Sequence, residues 1–351
     1  YYSVIGGWVI KYLVEYFRGN AKLLAEDGYF TDFISNGVST ELCFVAFCAF
    51  TLIIIFAGVQ NGIERVSKIM MPILIVLSVI IAVYSVTRPG ALAGVKYFLV
   101  PNVKNFSWMT VVSAMGQMFY SLSIAMGILV TFGSYMKKDV SIEESTENVE
   151  VFDTAIAIMA GLIIFPACFA YGVDPDSGPN LVFLTLPYVF EQMPLGQLWG
   201  TLFFLCMAFA ALSTVIAVFE NILRFSMDQW NITRKRAVAI NAPLLALLSM
   251  PCVLGFSLWS GVQIPGIGDI QSIEDFLVSN NFLVLGSLVF VLFCTRKAGW
   301  GWKGFIEEAD KGEGMRYPKV LYGWTKYGVP LLIIVVFVVG WAPKIMYWLG
   351  M

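Results

Sequence analysis

Residues 115–127 read MGQMFYSLSIAMG, inside an apolar run from Trp108 to Thr131. That run is long enough to cross a bilayer, for which a helix needs about 20 apolar residues. Yet its middle carries Gln117, Ser121 and Ser123, flanked by Gly116 and Gly127. Polar groups without partners are costly in hydrocarbon, so a helix that only anchors does better with leucine there. The glycine-flanked polar stretch predicts a helix interrupted halfway across the membrane. Unwinding there frees backbone carbonyls for a cation or an ammonium group, and aims the N-terminus of the following half-helix at a carboxylate.

The rest of the chain sets this stretch in a membrane. Of 351 residues, 58% are hydrophobic and 13% charged, against about 25% charged in soluble domains. Nine stretches qualify as spans or nearly so: 1–17, 42–60, 66–87, 108–131, 153–171, 197–223, 236–256, 279–295 and 329–349. Barrel strands would show alternating polarity over about 10 residues, which is not seen. The chain therefore reads as an all-α polytopic membrane protein in one transmembrane domain, 1–351.

Lysine and arginine set the orientation. Loops 61–68, 132–152, 224–236 and 296–328 hold 15 basic residues; the alternate loops 18–41, 88–107, 172–196 and 257–278 hold 5. The basic loops are placed in the cytoplasm, which leaves residue 1 inside and Met351 outside. The external loop 172–196 mixes Pro and Gly with apolar residues. It reads as a lid folding back into a vestibule, or else as a helix lying on the membrane surface. The chain begins inside an apolar segment and without Met, so an N-terminal truncation is expected.

Composition removes other functions. There is no histidine, the commonest proton shuttle and metal ligand. The six cysteines lie mostly in apolar runs without ligand spacing, and no basic stripe suggests nucleic acid. No catalytic dyad is visible, and no enzyme is expected.

Four polar groups stand within or at the ends of the spans: the opening stretch, Ser213-Thr214, Asp153, and Glu274-Asp275. Each has a plainer reading. Serine and threonine in membrane helices commonly bond a carbonyl one turn back. Asp153 could be an N-cap and Asp275 an interfacial charge. Together the hydroxyls and the carboxylate form a hard-oxygen set suited to Na⁺. Gly62 and Pro72, in GIERVSKIMMP, mark a cytoplasmic end that unwinds easily, because proline removes a backbone hydrogen bond.

GQMFYSLSIAMGILVTFGSYM, FAALSTVIAVFEN, GIERVSKIMMP, GPNLVFLTLP and Tyr1-Tyr2 followed by Trp8 together resemble the neurotransmitter:sodium symporters, with the bacterial amino-acid branch the best fit. The resemblance runs along the whole chain. It implies an inverted-repeat transporter fold of which family helices 3–11 are present and helices 1 and 2 are not.

The resemblance also implies roles. Tyr2 would bond the substrate carboxylate. Phe119 and Tyr120 would form an aromatic lid, with the Tyr120 and Ser121 carbonyls receiving the ammonium. Ser123, Met126, Thr214 and Val218 would line the side-chain pocket. Ser121 and Asp153 would ligate one Na⁺; Ala210 (carbonyl), Ser213 and Thr214 would ligate a second. Gln117 and Asp275 would belong to an external gate, Tyr135 and Asp228 to an internal one, with Gly62 and Pro72 as hinge. Asp153 stands where many members have asparagine, and Ala157 where chloride-dependent ones have serine, which implies chloride independence.

The expected function is Na⁺-coupled symport of an apolar or aromatic amino acid by alternating access. Two Na⁺ ions and no organic cofactor are expected, in a bacterial cell membrane, with lipid and the substrate as the partners. The other reading is a sensor or channel-like protein on the same scaffold, binding an amino acid without coupled transport.

Overall fold

The computed structural model describes residues 1–175 and 178–350. Among these residues all extended regular structure is helical, with two isolated bridges, Val140–Glu313 and Ile264–Gly268. Seven helices among the described residues are long and apolar enough to cross a membrane: Gly37–Phe56, Gly62–Val86, Ile142–Ala170, Gly196–Trp230, Arg234–Gly255, Ile270–Thr295 and Lys319–Trp348. The two further expected spans are a 16-residue helix, Tyr2–Phe17, and a broken pair, Trp108–Ser121 and Ile128–Gly133. Large apolar side chains point outward: Leu42 is 66% exposed, Ile53 68% and Leu247 66%. Exposed apolar surface on this scale suits lipid rather than water.

Several helices outrun the expected spans. The helix expected from 153 begins at Ile142, and the one expected over 197–223 runs from Gly196 to Trp230. Hydropathy sees only the apolar window, whereas a helix continues through polar residues until its caps fail. Glu143 and Glu144 occupy the first turn of the Ile142 helix, where a negative charge meets the positive end of the helix dipole.

The chain divides into two compact units, residues 1–103 with 155–261, and 104–154 with 262–351. In the first unit, the Tyr2–Phe17 helix packs against Gly37–Phe56 and Gly196–Trp230. Trp8, Tyr12 and Tyr16 fall at four-residue spacing, so they share one helix face. All three are fully buried. They meet Phe183, Phe190 and Phe204, with Trp8 edge-on to Phe183 at 5.7 Å and Tyr12 edge-on to it at 5.1 Å. The Tyr12 hydroxyl donates to the Phe183 carbonyl at 2.9 Å. Phe183 belongs to the 172–196 segment, which is helical over Gly178–Asn180, Leu181–Thr185 and Leu186–Gln192. Its Phe183, Leu186, Val189 and Phe190 are buried in this unit's own core. Residues 176 and 177 of the segment lie outside the described residues.

A second core in the same unit gathers Phe47, Ile55, Met70, Leu212, Ile216 and Phe219. At its edge Glu220, 1% exposed, accepts from both terminal guanidinium nitrogens of Arg234, whose Nε donates to the Ile55 carbonyl at 2.9 Å. The expected hinge lies nearby. The chain runs through a wide π-helical turn, Val59–Glu64, into Arg65–Val86, which contains Pro72. Gly62 is buried, and a Cβ there would sit 2.1 Å from the Ile54 carbonyl oxygen.

In the second unit, Leu283–Thr295 packs against Val329–Trp348 and Trp108–Ser121. Phe119, Leu283, Val284, Ile333 and Val336 form its core. The Trp108–Ser121 helix opens on a capping box: the Ser107 hydroxyl accepts the Thr110 N–H at 3.3 Å, and Thr110 bonds back.

Removing one partner of a buried ion pair leaves an uncompensated charge, at a cost of about 3–5 kcal/mol. Arg234 is partly exposed (21% of its side chain), which screens some of that. Glu220→Ala is therefore expected to lower the thermal unfolding midpoint in detergent by several degrees. An unchanged midpoint would show that the pair does not hold these two helices together.

Candidate functional site

The interruption sits between Ser121, where the first half-helix ends, and Ile128, where the second begins. Three residues in the gap have left-handed backbone: Ser123 (φ 53°), Ala125 (φ 65°) and Gly127 (φ 81°). Only Gly127 adopts that region without strain; a serine and an alanine there cost of order 1 kcal/mol or more each. Gly116 is an ordinary residue within the helix, so the break falls six residues later than that glycine suggests and the polar residues themselves mark it. The second half is short, six residues from Ile128 to Gly133, and its dipole is correspondingly small.

The break rearranges the backbone acceptors. Ser123 N–H bonds the Tyr120 carbonyl at 3.1 Å and Ile124 N–H bonds Phe119 at 3.0 Å. Among the described residues the carbonyls of Ser121, Leu122, Ile124 and Ala125 receive no backbone N–H. Such carbonyls seek a cation, a donor side chain or water.

Beside them, Ser121 Oγ donates to Asp153 Oδ1 at 2.6 Å. Asp153 lies well inside the Ile142–Ala170 helix, which excludes its N-cap reading. Both residues belong to the second unit. A hydroxyl, a carboxylate and adjacent peptide oxygens make a hard-oxygen set carrying one formal charge, and the donors fit a small monovalent cation.

The first unit holds the second predicted set. Ser213 Oγ donates to the Ala210 carbonyl at 2.9 Å, and Thr214 Oγ1 donates to the same carbonyl at 3.1 Å. This is also the plain one-turn bonding of hydroxyls in a helix. Here both hydroxyls converge on a single oxygen, which places three oxygens together. Tyr2 packs against the core that holds Leu212, Val215 and Ile216, so the residue predicted to meet a carboxylate lies on the same helix contact as the predicted ligand set. Val218, one turn further, is half-buried.

The remaining predicted residues are less concentrated. Phe119 is buried in the core of the second unit, with Tyr120 and Met126 packed at its margin. Ser123 is half-buried in the break. Gln117 is exposed on the first half-helix, and Asp275 is exposed and accepts from Ser279 Oγ at 3.0 Å. Tyr135 stands edge-on to Phe132 at 6.4 Å. Asp228 pairs with Arg224 one turn back on its own helix, at 3.0 Å.

Two buried charges escaped the sequence reading. One is Glu220, whose signal was an acidic residue ending the apolar run FAALSTVIAVFEN, with Arg234 just past the following turn. The other is Glu15, 4% exposed, which accepts from Lys11 at 2.8 Å, Asn20 at 2.6 Å and Arg18 at 3.3 Å. Lys11 and Glu15 sit one turn apart in the apolar run GGWVIKYLVEYF, a spacing that announces a pair.

Comparison with known proteins places this arrangement in a family. The pattern of the Sodium:neurotransmitter symporter family matches residues 13–344. An uncharacterized sodium-dependent transporter of Bacillus subtilis (strain 168) is 35% identical over 343 residues, which cover 96% of this chain and 75% of the relative. Sodium- and chloride-dependent glycine transporter 2 of Xenopus laevis is 28% identical over 256 residues, 69% of this chain and 32% of that protein. The crystal structure of MhsT in complex with L-phenylalanine superposes with a TM-score of 0.85 at 34% identity, over 96% of this chain and 77% of that one. The chain belongs to the sodium:neurotransmitter symporter family, and is a multi-pass membrane transporter rather than an enzyme.

Proposed function

We propose that this protein couples Na⁺ entry to uptake of an apolar or aromatic amino acid by alternating access, without chloride. The observation that carries the reading is the 2.6 Å contact between Ser121 and Asp153 at the broken helix. It sets a carboxylate beside peptide oxygens that lack backbone donors, where a cation compensates both. In this reading the second unit supplies one ion's ligands, Ser121 and Asp153, and the first supplies another's, Ala210, Ser213 and Thr214. Tyr2 takes the substrate carboxylate, the Tyr120 and Ser121 carbonyls take its ammonium, and Ser123, Met126, Thr214 and Val218 meet its side chain. Methionine is unbranched and adaptable, which favours a roomy apolar pocket. The bound L-phenylalanine of MhsT supports a substrate of this class.

Coupling needs no covalent step. An ion held by the break stabilises the unwound conformation, and the substrate then binds a segment already ordered; by linkage each raises the affinity of the other. Asp153 carries a fixed negative charge, so the ion site is neutralised without an added anion.

Vesicles containing the protein are expected to accumulate labelled phenylalanine, leucine or tryptophan in Na⁺, and to stop when choline replaces it; accumulation that persists in choline rules out Na⁺ coupling. Replacing chloride by gluconate is expected to leave uptake unaltered, whereas Asp153→Asn makes it chloride-sensitive or abolishes it. Wild-type uptake that falls in gluconate contradicts the assigned role of Asp153. Hydrogen bonds and ligations to charged partners are worth about 1.5 kcal/mol or more. Ser213→Ala should accordingly raise the Na⁺ concentration for half-maximal uptake roughly tenfold, and an unshifted Na⁺ dependence removes Ser213 from the ion site.

A further inference from the structure

Two cations at the basic end of the second unit are held entirely by uncharged groups. Arg296 directly follows the Leu283–Thr295 helix, and Lys326 lies in the Trp324–Gly328 turn that enters Val329–Trp348. Arg296 Nη2 donates to the Lys326 carbonyl at 3.3 Å, and its guanidinium carbon lies 5.1 Å from the centre of the Tyr327 ring. Lys326 Nζ lies 5.5 Å from that same ring and 4.9 Å from the Tyr322 ring, and donates to the Tyr322 hydroxyl at 2.5 Å. Two positive charges thus share one aromatic ring. Among the described residues neither has a carboxylate partner. Their neighbours differ: Lys303 pairs with Glu307 at 3.8 Å, and Lys311 pairs with Glu308.

The depth of this pair follows from helix length. Lys319–Trp348 is helical over 30 residues, about 45 Å at 1.5 Å per residue, whereas the hydrocarbon core is about 30 Å thick. The apolar part is Val329–Trp348, so Lys326 falls just outside it, level with the headgroups. Trp300 follows Arg296 by four residues, Trp324 and Tyr327 flank Lys326 in sequence, and each is more than half exposed (53%, 55% and 56%). Exposed tryptophan and tyrosine at this depth are the mark of a membrane interface rather than of a water-facing loop.

We propose that Arg296 and Lys326, seated on Tyr322 and Tyr327, bind the phosphate of an anionic phospholipid in the leaflet that the basic loops face. The planar guanidinium offers two parallel donors to a phosphate and the ammonium a point charge. Cation–π contacts orient both cations but leave their charge uncancelled, and a phosphodiester cancels it. The exposed aromatic side chains beside them lie where the glycerol and upper acyl chain of that lipid run. A free phosphate shares the anionic chemistry but has no use for those side chains.

The test compares lipid retention and thermal midpoints for the purified protein and for R296Q/K326Q, with phosphatidylglycerol, phosphatidylcholine or inorganic phosphate added. The wild-type protein is expected to retain phosphatidylglycerol in native mass spectrometry in preference to phosphatidylcholine, and to melt higher with it. Each charge removed should weaken that retention roughly fivefold, while K303Q, whose lysine is already paired, keeps wild-type retention. Equal retention of the two lipids by the wild-type protein, or undiminished phosphatidylglycerol on R296Q/K326Q, overturns the proposal. An upward shift with inorganic phosphate as large as with the lipid overturns it too, and assigns the pair to a soluble anion. Should the double variant not fold, K326Q alone decides: its ammonium bonds an exposed hydroxyl, and unchanged retention on it is contrary to the proposal.

Discussion

Everything functional in this protein depends on one constraint: a peptide chain in a membrane cannot leave its carbonyls without partners. Between Ser121 and Ile128 the helix gives up its internal ladder, and Ser123 and Ala125 are held in left-handed backbone that their side chains resist. That arrangement costs free energy unless something takes up the released oxygens. Asp153, hydrogen-bonded to Ser121, supplies fixed charge at the same place and makes a cation the natural occupant. In the function proposed above, Na⁺ is a structural element of the break as well as cargo, which couples an ion gradient to an amino acid without any bond being made or broken.

Each unit holds its own predicted site residues on packed helices. Phe119, the second residue before the helix ends, is locked among Leu283, Val284, Ile333 and Val336, and Ser107 caps the other end of the same helix. In the first unit, the aromatic face of Trp8, Tyr12 and Tyr16 fixes the helix that carries Tyr2, and Tyr2 packs against the core of Leu212, Val215 and Ile216. Among the described residues the helices are interrupted or widened at the break, at the π turn Val59–Glu64 with buried Gly62, and at the π turns Leu181–Thr185, Val278–Phe282 and Trp324–Gly328. Wide turns of this kind weaken the hydrogen-bond ladder locally and recur at functional positions.

Much of this was legible in the sequence because membranes simplify the code. Apolar runs of the right length could only be helices, and all nine became helical. The polar residues at 117–123 pointed to the break, although serines bonding a carbonyl one turn back were a plainer reading of the same residues. Its exact position was not legible: Gly116, which looked like its edge, is an ordinary helical residue, and the left-handed positions include a serine and an alanine. The start of the Ile142 helix was hidden because EESTENVE is polar, and hydropathy cannot tell a polar helix from a loop. Glu220 with Arg234, and Glu15 with its three donors, were hidden for a different reason. Their burial depends on which helices meet, and a single apolar run carries no record of its neighbours. The gate residues Gln117, Asp275, Tyr135 and Asp228 were named from resemblance. In the structure they are surface or half-buried groups, with Asp228 paired to Arg224 on its own helix.

The claim that Na⁺ occupies and orders the break is reached most directly by amide hydrogen exchange at residues 120–128, measured in Na⁺ and again with choline in its place. The account predicts markedly slower exchange in Na⁺ for the wild-type protein, and the same fast exchange in both salts when Ser121 and Asp153 are both replaced by alanine. Identical exchange in the two salts for the wild-type protein would contradict it.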